Sequence, residues 1–242
     1  WPGAPQTRLQ GQARLLPDGA AWQLDAQMNN QMPGAWDLQR LPLTQLSLKA
    51  RHAQGLWQIQ QAQAQLTSGQ LQGQGQQTPQ GWTGQLEFQN LPPALLHSAW
   101  AGPDVQGTLK AEATGADTIA LSADLQAPKA QATNAAYPAA LQWEQLQLTG
   151  QWHPERWDID SLRLQAARAV LEAQFKWQPT QKAVQGRMTL ALPGMQASAQ
   201  GNLAPTSGQG RLEVQMQNAA SSQAWLQGLP GWGDQLKTFK AS

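Results

Sequence analysis

The 242-residue chain has no cysteine, which removes disulfides, thiolate metal sites and thiol nucleophiles together. Charge is scarce too: Asp, Glu, Lys and Arg make up 13% of the residues and nearly cancel, to a net +1. Without a cluster of Lys or Arg there is no electrostatic footprint for nucleic acid, and acidic substrates lose their main attraction. No apolar run approaches the roughly 18 residues that a membrane-crossing helix needs. No secretory leader opens the chain. The first residue is Trp1, so the sequence reads as a cut-out segment of a longer protein or a processed chain, with any membrane anchor expected outside it.

The vocabulary of catalysis is equally thin. His52, His97 and His153 stand singly, without the spacing of a shared metal site. Ser98 beside His97 makes no dyad, because neighbours on a helix point to different sides. There is no GxSxG elbow, HExxH, P-loop or EF-hand loop. Gly73-Gln74-Gly75 and Gly208-Gln209-Gly210 lie in or lead into strands, so neither makes a phosphate cradle. Asp158 and Asp160 alternate with Trp157 and Ile159, which puts two carboxylates on one strand face, where a glycosidase pair could in principle sit. The matching residues of an earlier repeat are Gln58 and Gln60, and a solvated outer face is the simpler reading. The expectation is a non-enzymatic protein with no cofactor and no metal.

What the chain does have is glutamine, about forty copies, and twelve tryptophans arranged in a repeat. Leu146-Gln-Leu148 answers Leu46-Ser-Leu48, and Trp157-Asp-Ile159 answers Trp57-Gln-Ile59. Val184-Gln-Gly186-Arg-Met188-Thr-Leu190 answers Trp82-Thr-Gly84-Gln-Leu86-Glu-Phe88, and both copies end in Leu-Pro, at Pro92 and Pro193. The copies span about 43–92 and 143–193 within one elongated β-rich domain covering 1–242.

Period-two alternation predicts strands over most of the chain, such as 8–16 and 20–28 joined by a Pro17-Asp18-Gly19 turn. In both repeats the alternation slips by one residue, from Ile59 to Ala62 and from Ile159 to Leu162. A slip turns every later side chain over unless a bulge absorbs it, so bulges are predicted at Gln60-Gln61 and Asp160-Ser161. The segment 29–41 reads as a loop packing Trp36 and Leu38. Helices are predicted over 92–100 and 220–227, and further strands over 118–127 and 234–241, while 129–140 is not assigned. The total is about fifteen strands and two short helices, far above the usual strand share.

Two short helices cannot cover an apolar face of that extent. Either the sheet closes into a sandwich, or it curls into a trough with an exposed apolar strip, and such strips mark binding sites. The fold class expected is all-β: an elongated, curled, antiparallel-rich sheet forming a trough with a hydrophobic groove. Its predicted lining is Trp22, Leu24, Leu48, Trp57, Ile59, Trp82, Leu86 and Phe88 from the first part of the chain. The later part adds Leu121, Leu148, Trp157, Leu171, Phe175, Trp177, Met188 and Leu190. A trough without fixed polar groups suits a long, greasy ligand. The rival reading is a closed β-sandwich or solenoid that binds glycans or a protein partner through an edge strand.

The run Leu146-Gln-Leu148, Arg156-Trp-Asp-Ile-Asp-Ser-Leu-Arg-Leu164 and Ala169 to Phe175 resembles the AsmA-like proteins of Gram-negative envelopes. So do the Leu-Pro strand endings and the short helix before Val105-Gln-Gly107-Thr-Leu109. Within that group the pattern is most similar to the TamB-like family. The resemblance implies a β-taco fold in the periplasm, on a parent chain tied to the inner membrane and paired with a TamA-like outer-membrane barrel. It also implies a role in carrying phospholipid acyl chains, or nascent outer-membrane protein strands, between the membranes. No catalytic residue is carried over.

Overall fold

The computed structural model describes residues 6–98, 102–115, 117–127, 143–166, 168–204 and 207–227. The chain is all-β. It divides into two units, Trp1–Asp117 and Thr118–Ser242. The first holds β1 (Leu9–Asp18), β2 (Ala21–Asn30), β3 (Leu43–Ala53), β4 (Leu56–Leu66), β5 (Gln70–Thr78), β6 (Gly81–Leu91) and β7 (Val105–Thr114). The second holds β8 (Ile119–Gln126), β9 (Trp143–His153), β10 (Arg156–Ala166), β11 (Ala169–Gln178), β12 (Ala183–Leu192), β13 (Met195–Ala204) and β14 (Ser207–Met216), followed by helix α1 (Ala219–Gln227). In each unit the strands lie in sequence order, each antiparallel to the next, and the sheet does not close on itself. Among the described residues there are therefore fourteen strands and one α-helix.

The predicted bulges are present. The pairing of β4 with β5 shifts between Ile59 and Ala62, and that of β10 with β11 shifts between Ile159 and Leu162. Each shift returns the apolar residues beyond it to the face they would otherwise leave.

Three local expectations are corrected. The first turn is Gly19-Ala20, with Asp18 opposite Ala21 and Gly19 at φ 59. Pro17 stays in β1, the first strand of the unit, where a missing N–H leaves no gap in a ladder. Of the predicted helix 92–100, only Pro93–Leu95 winds, as a 3₁₀ turn; Pro92 is extended at ψ 143 and no side chain caps it. The segment is too short to offset the cost of nucleating an α-helix, and its last two residues lie outside those described. Trp36 and Leu38 do not pack: they lie in a second 3₁₀ turn and are 46% and 59% exposed. The segments 129–140 and 234–241 also lie outside the described residues.

The core is thin. No side chain among those described is fully buried, and the buried hydrophobic residues are few: alanines, Phe88, Leu95 and Ile159. The chain exposes 16213 Å², against roughly 10,600 Å² for a compact protein of this mass.

Candidate functional site

Opposed residues of an antiparallel pair share a face, so the register sorts every strand residue. In the first unit one face carries Leu15, Trp22, Leu24, Leu48, Ala50, Trp57, Ile59, Leu71, Trp82, Leu86, Phe88 and Leu109, with small residues between them. All eight lining residues predicted for this unit lie on it. Across its registered pairs the polar side chains are His52, opposite Trp22 and Trp57, Gln77, opposite Trp82, and at the other end Asn30, opposite Leu9 and 7% exposed. In the second unit the same construction gathers Leu121, Leu148, Trp157, Leu171, Phe175, Trp177, Met188 and Leu190, again all eight predicted there. It continues through Ala199 to Leu212, Val214 and Met216 on β14.

Among the described residues no second layer of strands covers these faces, although Ala50, Phe88 and Ile159 are buried. Trp22, Trp57, Trp82, Trp177 and Met188 are each more than 40% exposed, and Leu212 is 70% exposed. In the first unit Gly75 of β5 stands opposite Gly84 of β6, between Trp57 and Trp82. The two glycines contribute to a hollow of about 770 Å³ lined by Trp57, Ile59, Gln77 and Trp82 and closed at its end by the polar turn from Thr78 to Gly81. A Cβ on Gly84 would meet Trp82 Cζ3 at 3.7 Å and Gln74 C=O at 3.8 Å, ordinary van der Waals contacts, so the position accepts a side chain.

The opposite face is glutamine with scattered charge. Its side chains bond across and along strands: Gln70 Nε2 donates to Gln89 Oε1 at 3.1 Å, and Gln165 Nε2 to Glu144 Oε2 at 2.8 Å. Amides give such a surface cross-strand hydrogen bonds without like-charge repulsion.

The structure separates Asp158 and Asp160. Asp158 Oδ2 accepts from Arg156 Nε at 3.0 Å and lies 3.6 Å from His153 Nε2, while His153 Nδ1 is 3.3 Å from Thr118 Oγ1. Asp160 sits exposed in the bulge, where alternation fails. Asp158 is thus engaged by the Arg156 guanidinium rather than by a second carboxylate. No group of three or more metal-ligating side chains occurs among the described residues, and no helix there is long and apolar enough to cross a membrane.

Two connections of the first unit leave the same end of the sheet and clasp one another. Asp37, between β2 and β3, accepts from Ser98 N–H at 2.9 Å and Ser98 O–H at 2.7 Å, and its own N–H donates to Leu96 C=O at 3.2 Å. His97 Nδ1 is 3.7 Å from Asp37 Oδ2. The Ser98 hydroxyl bond, with help from the Ser98 N–H and the His97 charge and against some desolvation, holds the Asp37 carboxyl below its usual value.

The sequence reading left out several residues of the faces, among them Leu46, Leu109, Leu146, Leu162, Leu164, Val184 and Trp152. Their alternation with glutamine or charge was the available signal. It also passed over a regularity in the tryptophans, which take the second position of β2, β4, β6 and β10. Compared with family models, with curated proteins and with solved structures, the chain finds no match.

Proposed function

We propose that the apolar faces carry the hydrocarbon chains of phospholipid, and that the chain is a non-enzymatic, periplasmic segment of a TamB-like bridge between inner and outer membranes. Its parent chain would then pair with a TamA-like barrel. The observation that supports this best is a continuous apolar face without a covering layer, present in both units. Burying a methylene stabilises by about 0.8 kcal/mol, so a sixteen-carbon chain faces roughly 13 kcal/mol on entering water. A face that stays apolar from strand to strand removes most of that cost and needs no reactive group. Cross-strand order matters here: an exposed patch of isolated hydrophobes would hold a chain at points, whereas apolar residues here follow one another from strand to strand across most registered pairs.

The test is native mass spectrometry with lipid extraction on the purified chain. Co-purifying phospholipid, lost in Leu86→Arg and Met188→Arg while the fold persists, is the expected result. A clean apo mass combined with retained binding of a protein or glycan partner would favour the rival reading. The closed sandwich in that rival does not describe either sheet, which leaves recognition through an edge strand as its remaining form.

A further inference from the structure

The tryptophans of the two faces stand in rank. In the first unit Trp22, Trp57 and Trp82 all lie at the strand ends joined by the short turns, with Trp22 and Trp57 both opposite His52. In the second, Trp152, Trp157 and Trp177 lie directly opposite one another on three consecutive strands, at the corresponding end. The polar side chains His52 and Gln77 fall in this same rank, and the His52 ring lies 4.9 Å from that of Trp57. The polar side chain at the other end, Asn30, is buried at 7% and spends its amide on the backbone, donating to Leu41 C=O and accepting from Met32 N–H, so the amphipathic part of the face open to a ligand is the rim.

The other end of each face differs. In the first unit the clasped connections leave from it, Leu95 there is 8% exposed, and on β6 exposure falls from 43% at Trp82 to 7% at Phe88. In the second, α1 follows β14 at that end, and Ser222 Oγ donates to Pro193 C=O at 3.0 Å. On β11 exposure falls from 42% at Trp177 to 9% at Ala169.

We propose that a phospholipid lies on each face in one sense, its ester and headgroup region at the tryptophan rim and its chain ends toward the opposite end. The proposal rests on the lipid reading above. From Trp82 to Phe88 the strand advances roughly 20 Å, and one leaflet of a bilayer's hydrocarbon core is about 15 Å deep. Aromatic rim plus apolar depth thus reproduces half a bilayer, in which tryptophan sits where chain gives way to headgroup. Indole N–H is a donor only, so it pairs with ester carbonyl or phosphate oxygen. No Lys or Arg occupies a registered position on either face, so the carboxylate of a free fatty acid would find no ion pair there.

The absence of cysteine permits a direct test. Gln77→Cys and Leu71→Cys place a single thiol at the rim and at depth, on the same strand and face. Each is labelled with bimane on the full chain and mixed with phosphatidylcholine vesicles carrying a nitroxide either near the glycerol or near the chain end. The glycerol-proximal nitroxide is expected to quench the Gln77→Cys label at least twofold more than the Leu71→Cys label, and the chain-end nitroxide to do the reverse. Equal or inverted quenching overturns the orientation while leaving lipid on the face. No quenching at either position overturns the lipid reading and the orientation with it. The double variant Trp57→Leu/Trp82→Leu keeps the rim apolar and removes two indole donors. Quenching there should persist and lose its order; order that survives overturns the role of the tryptophans.

Discussion

At the scale of single residues, the face is defined as much by what is small as by what is large. Gly84 is the clearest case, because its absent side chain contributes to the hollow between Trp57 and Trp82 and a Cβ there meets only ordinary contacts. Gly84→Leu should therefore keep the fold and fill the site. The expected result is a melting temperature within a few degrees of wild type and at least a severalfold loss of acyl-chain probe uptake, read by fluorescence. Gly75 is unsuited to the same experiment, since a Cβ there lies 2.8 Å from the Thr83 carbonyl oxygen. Leu86→Arg tests charge in place of volume. Leu86 stands opposite Gly73 and Leu109 on a face without a second layer, so the guanidinium reaches water by extending along it. Stability should change little, while phospholipid retained on extraction should fall at least tenfold; retention near wild type would count against the face as the lipid site. The large lining residues were legible in the sequence because period two alone assigns them to a face. The hollow was not, since it depends on which glycines meet across a pair, and that is a matter of register.

At the scale of elements, the strands and bulges were legible for the same reason: a phase slip has only one economical remedy when a face must stay apolar. The connections were not. Nothing in Pro92 to Ser98 announces that it ends on Asp37, a contact between residues 61 apart in sequence, and helical spacing of Leu95 and Leu96 misdirects the reading. The clasp carries its own pH signature. Because the folded state holds the Asp37 carboxyl below its usual 3.8, its contribution is present above that value and is lost as pH falls through the lowered folded value. Asp37→Ala should thus melt a few degrees lower than wild type at neutral pH, and the gap should close on acidification below the ordinary carboxylate range. Thermal melts of both proteins across that range check it. A gap that is constant with pH would mean that Asp37 acts through packing and not through its charge.

At the scale of the whole molecule, the missing layer has a thermodynamic cost that a ligand can offset. With an apolar face open in each unit, folding removes less apolar surface from water than it would for a closed core. The heat-capacity change of unfolding should fall below the roughly 3 kcal/mol/K expected of a compact chain of this length, and the shortfall should lie in its apolar part. Lipid that binds the folded faces and not the unfolded chain adds stability with the logarithm of its free concentration. Differential scanning calorimetry in rising concentrations of a short-chain phosphatidylcholine, held below its micelle threshold, should therefore show the melting temperature climbing steadily. The heat-capacity change should climb with it, because the bound chains hide apolar surface that unfolding then exposes. Gly84→Leu should blunt both slopes without moving their lipid-free origin by more than a few degrees. If neither quantity responds to lipid, the exposed faces are covered by something other than acyl chains, and a sheet edge becomes the place to look for the partner.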